Sequence, residues 1–449
     1  MKRFTYVAAA GVFAFALFAL FAFVNQPKND APIHEDDWWQ NEVTPIQQDA
    51  TDFSDLQFLK TEIGDKRVVA LGEQTHKDGA SFEARARMIE FLMEEMDFEV
   101  ILFENGMFEM DLANQTIQSE KNTKELRRAL YAFWSEAKQH EALFDYLDSR
   151  LQNNQLTQFG GLDAKQSSGI GLKGSVYTDQ LESAIQSSNP SLLTQENYTA
   201  YKAIWQDFEA QRADSKLAMM RIKMGEEEKM ELRKLSDWLQ AELKEADDTY
   251  WAQIVRSADE SMIAYSDLRI VKVLLSKKSF VPINNRRDEL MAENLSYLLN
   301  HQFADKKVIL FGATYHFIRN NDQLTNARVQ GLQVDESRIM GDLVHDEFKN
   351  DIYTIGFTAY EGRYGQEESV EDGKKIKSPQ RAGSLEYQLH QKEHDWAFVS
   401  LKNAQDNPFW SENPSMRLFD YKVDVQSNNW SEVLDAVVFI NTMEPILVD

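Results

Sequence analysis

Arg67-Val68-Val69-Ala70-Leu71-Gly72-Glu73-Gln74-Thr75-His76 is the stretch that decides the fold. Its first six residues form a brief apolar run ending in glycine, the mark of a buried strand. Residues 73–79 are polar and loop-like. Phe82, Ala86, Ile89, Leu92, Met93 and Met96 then recur at helical spacing. Glu99-Val100-Ile101-Leu102-Phe103 is a second buried strand, and it ends at Glu104. Strand, loop, helix, strand is a βαβ unit, and such units build parallel sheets.

Working outward, Phe53, Leu56, Phe58 and Leu59 predict a short helix before the first strand, in a globular unit opening near Trp38. Residues 157–162 are a further strand candidate ending at Asp163. From about 175 to 282 the chain is charged and helical, most strongly over 226–246 and 249–275, which predicts a helical insertion or cap. A helix over 288–299 follows, then a strand over 307–311 that runs into Gly312 and is followed by His316. Residues 351–357, 395–401 and 436–440 are late strand candidates. There is no internal repeat. Strands alternating with helices predict an α/β fold with a mostly parallel central sheet, flanked by helices and carrying a large helical cap.

Residues 1–30 stand apart. Phe4–Val24 holds no charge over 21 residues and follows Lys2 and Arg3. That is the length of a membrane-crossing helix, with the basic pair on the cytoplasmic side. The expectation is an uncleaved anchor with residues 31–449 outside the cytoplasm. A cleaved signal peptide gives a secreted or periplasmic protein instead.

The globular part has ample apolar material for a large core, with 43% hydrophobic residues in the 449-residue chain. Its 48 basic and 73 acidic residues leave a formal charge of −25. That argues against nucleic acid, whose phosphates need clustered lysine and arginine, and against contact with anionic lipid except through the N-terminal segment. With no cysteine, disulfides, thiolate metal sites and a cysteine nucleophile are excluded.

In open parallel sheets, ligands bind beyond the carboxyl ends of the strands. Glu73 and His76 follow one strand, Glu104 ends the next, Asp163 ends a third and His316 follows a later one. Carboxylates and imidazoles gathered at one rim make a general acid/base site. His76 titrates near neutral pH, and Glu73 or Glu104 can orient it. Glu73-x-x-His76 precedes a helix instead of lying on one, which disfavours a helical metal pair. Arg85 either faces inward to hold a carboxylate or oxyanion, or shares a solvated face with Arg87, Glu83 and Glu90. Asp288 reads as a helix-capping residue. His34, His140, His301, His345, His390 and His394 read as surface or packing residues. No Gly-x-Ser-x-Gly elbow or phosphate-binding glycine loop is present.

Taken together these segments resemble the erythromycin esterase family. Residues 69–76 resemble its "ALGEATH" strand and loop, and 85–98 its following helix. Residues 100–104 resemble the strand ending in its active-site Glu. Arg287-Asp288-x-x-Met291-Ala292-x-Asn294 resembles its "RD-x-x-MA-x-N" segment. Residues 307–317 resemble its strand and histidine loop, and 435–440 its terminal strand. The resemblance implies a hydrolase that uses no metal or other cofactor and acts on a small-molecule ester or lactone. His76 would be the general base, Glu73 and Glu104 its carboxylates, and Arg85 and His316 further active-site residues. Arg287, Asp163 and Tyr315 are substrate-binding candidates at the same rim. Ala313 and Thr314 replace the first His and the Asn of the family's "HN-x-H" loop, and Lys77 stands where Gly is usual. The family's fold is similar to that of haem-binding lipoproteins, so the alternative is a non-catalytic binder of haem or an envelope component, with His316 or Tyr315 as a haem ligand.

Overall fold

The computed structural model describes residues 42–48, 50–165, 176–213, 224–266, 281–329, 332–377, 383–404 and 408–449. The expected membrane segment lies outside these residues, as does the end of the helix expected over 249–275. No helix among the described residues is long and apolar enough to cross a membrane.

Eight strands build the main path of the central sheet. In chain order they are β1 (Val43–Ile46), β2 (Val68–Glu73), β3 (Val100–Gly106), β4 (Gln158–Asp163), β5 (Val308–Ala313), β6 (Ile352–Tyr364), β7 (Trp396–Ser400) and β8 (Ala436–Met443). Their spatial order is β1-β7-β8-β6-β2-β5-β3-β4, and a short ninth strand, Lys374–Lys375, pairs with the end of β6. From β8 to β4 every pairing is parallel. Within the main path only β7 runs opposite to the rest, and the short ninth strand also pairs antiparallel with β6. The sheet is therefore mixed but mostly parallel, as the sequence predicts.

The order places β5 between β2 and β3. The chain crosses from β2 to β3 through helix α1 (Gly79–Glu95). It leaves β3 through α2 (Met107–Glu120) and reaches β4 after α3 (Glu141–Gln152). The helical region follows as α4 (Val176–Ser188), α5 (Glu196–Ala213), α6 (Glu226–Glu245), α7 (Thr249–Ser266) and α8 (Val281–Tyr297). Only then does the chain return to fill the slot with β5.

Both faces of the strands are buried, which explains their unbroken apolar runs. Val69, Leu71, Ile101 and Phe103 point to one face and pack with Phe82, Ile89 and Leu92 of α1. Val68, Ala70, Val100 and Leu102 point to the other, into a cluster shared with Leu235, Leu239, Ile254 and Met291. The helical insertion thus packs laterally on the sheet as one of its covering layers.

One boundary corrects the sequence reading. The helix expected from Asp288 already includes Val281, so Asp288 lies inside α8 and does not cap it.

Candidate active site

Glu73, the last residue of β2, is fully buried. A carboxylate out of water needs donors, and three side chains supply them. His76 Nδ1 lies 2.5 Å from Oε1. Arg85 donates to Oε2. Trp134 Nε1 lies 3.2 and 3.3 Å from the two oxygens. Arg85 therefore faces inward from α1 and is itself completely buried, its guanidinium 3.9 Å from the centre of the Phe311 ring. Arg87 points elsewhere than Arg85. It reaches back to Asp55 at 2.9 and 2.5 Å.

His76 remains accessible, with 36% of its side chain exposed. Its ring stacks on Phe133 at 4.5 Å. Burial lowers its pKa, but the hydrogen bond and charge of Glu73 outweigh that and hold it above the ordinary histidine value. With Nδ1 given to Glu73, Nε2 is the nitrogen left to meet water. Asp78 sets the loop between them, accepting from Thr75 N at 2.8 Å and Thr75 Oγ1 at 3.0 Å.

The second constellation grows from β3 and β5. β3 carries an irregularity between Phe103 and Gly106, where its register against β4 shifts. Bulges of this kind re-aim side chains beside functional sites, and Glu104 lies within this one. Its Oε2 accepts from Ala313 N at 2.9 Å. Its Oε1 lies 2.9 Å from Arg287 Nη2 and 3.1 Å from His316 Nε2. Gly312 makes the approach possible, since a Cβ there would fall 2.8 Å from Glu104 Cβ.

His316 sits on a single helical turn, Thr314–Phe317, directly after β5. Its Nδ1 lies 2.7 Å from Asp288 Oδ1. Burial pushes its pKa down, but Asp288 and Glu104 overcome this and raise it to about 10. His316 is therefore an imidazolium at neutral pH. Burial likewise pushes the Glu104 carboxyl up, and the charges of His316 and Arg287 reverse this, holding it well below the usual range. Arg287 also donates from Nε to Asp163 Oδ2 at 2.8 Å.

The sheet thus gathers Glu73, His76, Glu104, Asp163 and His316 at one rim, and the helices bring Arg85 and Arg287 to it. Asp163 is fully buried and engaged with Arg287. Tyr315 is 5% exposed, and its hydroxyl accepts at 2.9 Å from Asn284 Nδ2, an amide that also lies 3.4 Å from Asp288 Oδ2. Neither haem-ligand candidate fits iron, because both His316 nitrogens and the Tyr315 hydroxyl are engaged. His140 is a packing residue, stacked on Phe82 at 4.4 Å with Nδ1 2.9 Å from Trp134 O, and burial lowers its pKa to about 4.

Sequence reasoning missed three contributors. Trp134 lies on the four-residue helix Ala132–Ser135, too short for a periodic signal. Asp288 was mistaken for a cap. Lys165, two residues past the end of β4, places Nζ 5.8 Å from the Tyr131 ring and 5.9 Å from the Tyr265 ring. Its ammonium has no ion pair among the described residues, and burial pushes its pKa below the ordinary lysine value. A lysine straight after a rim carboxylate was the available signal.

Known proteins share this architecture. A putative hydrolase, YbfO, of Bacillus subtilis is 24% identical over 429 residues, which is 92% of each chain. An erythromycin esterase type II of Escherichia coli is 31% identical over 101 residues, 22% of this chain and 24% of that one. A crystal structure of a Bacillus cereus protein superposes with a TM-score of 0.68 at 18% identity, covering 92% of this chain and 98% of the other. A mutant erythromycin esterase, EreC, in its open conformation gives 0.55 at 19%, covering 90% and 97%. The erythromycin esterase family model matches residues 93–443, a range that takes in Glu104, Asp163, Arg287, Asp288 and His316. The chain belongs to the erythromycin esterase family.

Proposed function

We propose that this protein is an ester hydrolase in which His76 activates water. Family membership and the hydrolase relative support hydrolysis. One observation carries the finer reading. An accessible imidazole, oriented by a buried carboxylate, shares the rim with a second cluster in which His316 and Arg287 are bound to Glu104, Asp163 and Asp288.

Water bound at His76 Nε2 gives up a proton to it as the oxygen attacks an ester or lactone carbonyl. Glu73 holds the tautomer and stabilises the imidazolium that forms, as a carboxylate does in a catalytic triad. Arg85 and Trp134 keep Glu73 ionised and fixed. The negative charge gathering on the carbonyl oxygen is stabilised by Lys165, the rim cation without an ion pair among the described residues. Collapse of the tetrahedral intermediate breaks the ester C–O bond, and His76 returns its proton to the leaving alkoxide. No geometry favours haem binding over this chemistry.

The test is hydrolysis of an ester panel, macrolide lactones included, by the full chain with and without chelator. Turnover that persists with chelator and vanishes in a folded His76→Asn variant is expected. Full turnover in that variant would remove the mechanism. Export through the Phe4–Val24 segment belongs to the same proposal, and cell fractionation tests it.

A further inference from the structure

A trough of about 610 Å³ opens on the flank of the molecule between α2, α4, α7 and α8, a volume typical of ligand clefts. It is remote from the catalytic rim. Tyr297, on its wall, stands at the far end of α8 from Arg287, about 15 Å along the axis at 1.5 Å per residue.

Three half-buried rings line it, Tyr250, Trp251 and Tyr297. Tyr250 is 6.2 Å from Trp251 and 6.4 Å from Tyr297, the rings turned at 82° and 51°. They present faces in different directions and cannot collapse into one stack. Opposite them stand Asp111 and Gln115 of α2 and Gln180 of α4. Gln115 Nε2 lies 2.9 Å from Asp111 Oδ2, which orients both groups. Gln115 and Gln180 are exposed.

The lining selects a ligand class. Among the described residues no lysine or arginine lines the trough and His301 is its one imidazole, so it holds no fixed cation for a phosphate or carboxylate. Aliphatic lining is sparse, which disfavours a lipid chain. Flat ring faces offer an apolar, polarisable surface, while glutamine amides offer paired donors and acceptors. A pyranose has the matching anatomy, an apolar C–H face bordered by neutral hydroxyls. We infer that this trough is a saccharide-binding site, separate from the hydrolytic rim and independent of the reaction assigned to it.

The experiment titrates neutral tetra- to hexasaccharides of the gluco-, manno-, xylo- and chito- series into the full chain. Saturation-transfer NMR and tryptophan fluorescence report binding. At least one series should bind saturably, and Trp251→Ala or Tyr297→Ala should weaken it about tenfold or more, the usual loss at a stacking hot spot. Gln180→Ala, an exposed change that leaves the core intact, should also weaken it, with ester turnover unchanged in all three variants. Absence of saturable binding in every series overturns the inference. So does binding that survives both ring deletions, or that His76→Asn alone abolishes.

Discussion

His316 Nδ1 lies 2.7 Å from Asp288 Oδ1, and that carboxylate reaches it from the interior of α8. Asp288 also accepts from Met340 N at 3.1 Å, so it is held from two sides. With Glu104 it keeps His316 a cation. Asp288→Asn should lower kcat by on the order of 100-fold while the fold survives, the scale of a lost acid/base contribution. Steady-state kinetics with circular dichroism checks both halves.

The same pair gives stability a pH dependence. His316 has a folded pKa of about 10 against an ordinary value of 6.5. A raised pKa means the folded state binds the proton more tightly. Its stabilisation is complete below about 6.5 and disappears as pH rises through about 10. Denaturant midpoints should fall over that window in the wild type and fall less in His316→Gln.

His76 must be neutral to accept a proton, and Glu73 holds its pKa above the ordinary value. The ascending limb of kcat/KM should therefore lie above pH 6.5, the unperturbed histidine value. In Glu73→Gln the negative charge is lost and burial dominates, so the limb should move to lower pH while its plateau drops. A limb that stays in place would remove His76 as the titrating base.

Arg85 and Glu73 are each wholly buried. Removing one partner leaves the other charged and dry. Arg85→Met should cost about 3–5 kcal/mol of stability, the range for a broken buried pair. Equilibrium urea unfolding measures it, and Arg85→Lys should not rescue the loss, because an ammonium lacks the planar guanidinium that stacks on Phe311.

Lys165→Met should raise KM more than it lowers kcat, if its ammonium meets the substrate. A pure loss of kcat with unchanged KM would place Lys165 in transition-state stabilisation alone.

The strands and their terminal residues were legible because buried parallel strands read as short apolar runs, and chemistry sits where those runs stop. Glu73, Glu104, Asp163 and His316 all follow from that rule. What escaped depended on contacts between distant segments. Arg85 had Glu83 and Glu90 within its own helix, and only the fold shows that β2 supplies its partner instead. Asp288 before an apolar stretch resembles a cap until His316 is placed opposite it. Strand direction leaves no mark on composition, so the antiparallel course of β7 was invisible. The β3 irregularity also left no signal, since Glu104 and Asn105 fill it with no extra glycine or proline between them.

The position of β5 has a consequence for how the molecule comes into being. β2 and β3 lie on either side of it, and their own edges meet only through residues made some two hundred positions later. During synthesis both leave the ribosome as apolar ribbons with a missing neighbour. Helices α4 to α8 must emerge before the gap can close. Contacts so distant in sequence make folding slow and leave sticky edges exposed while the chain waits. Biogenesis of this protein should accordingly depend on holding chaperones, and Glu104 meets His316 only when β5 inserts.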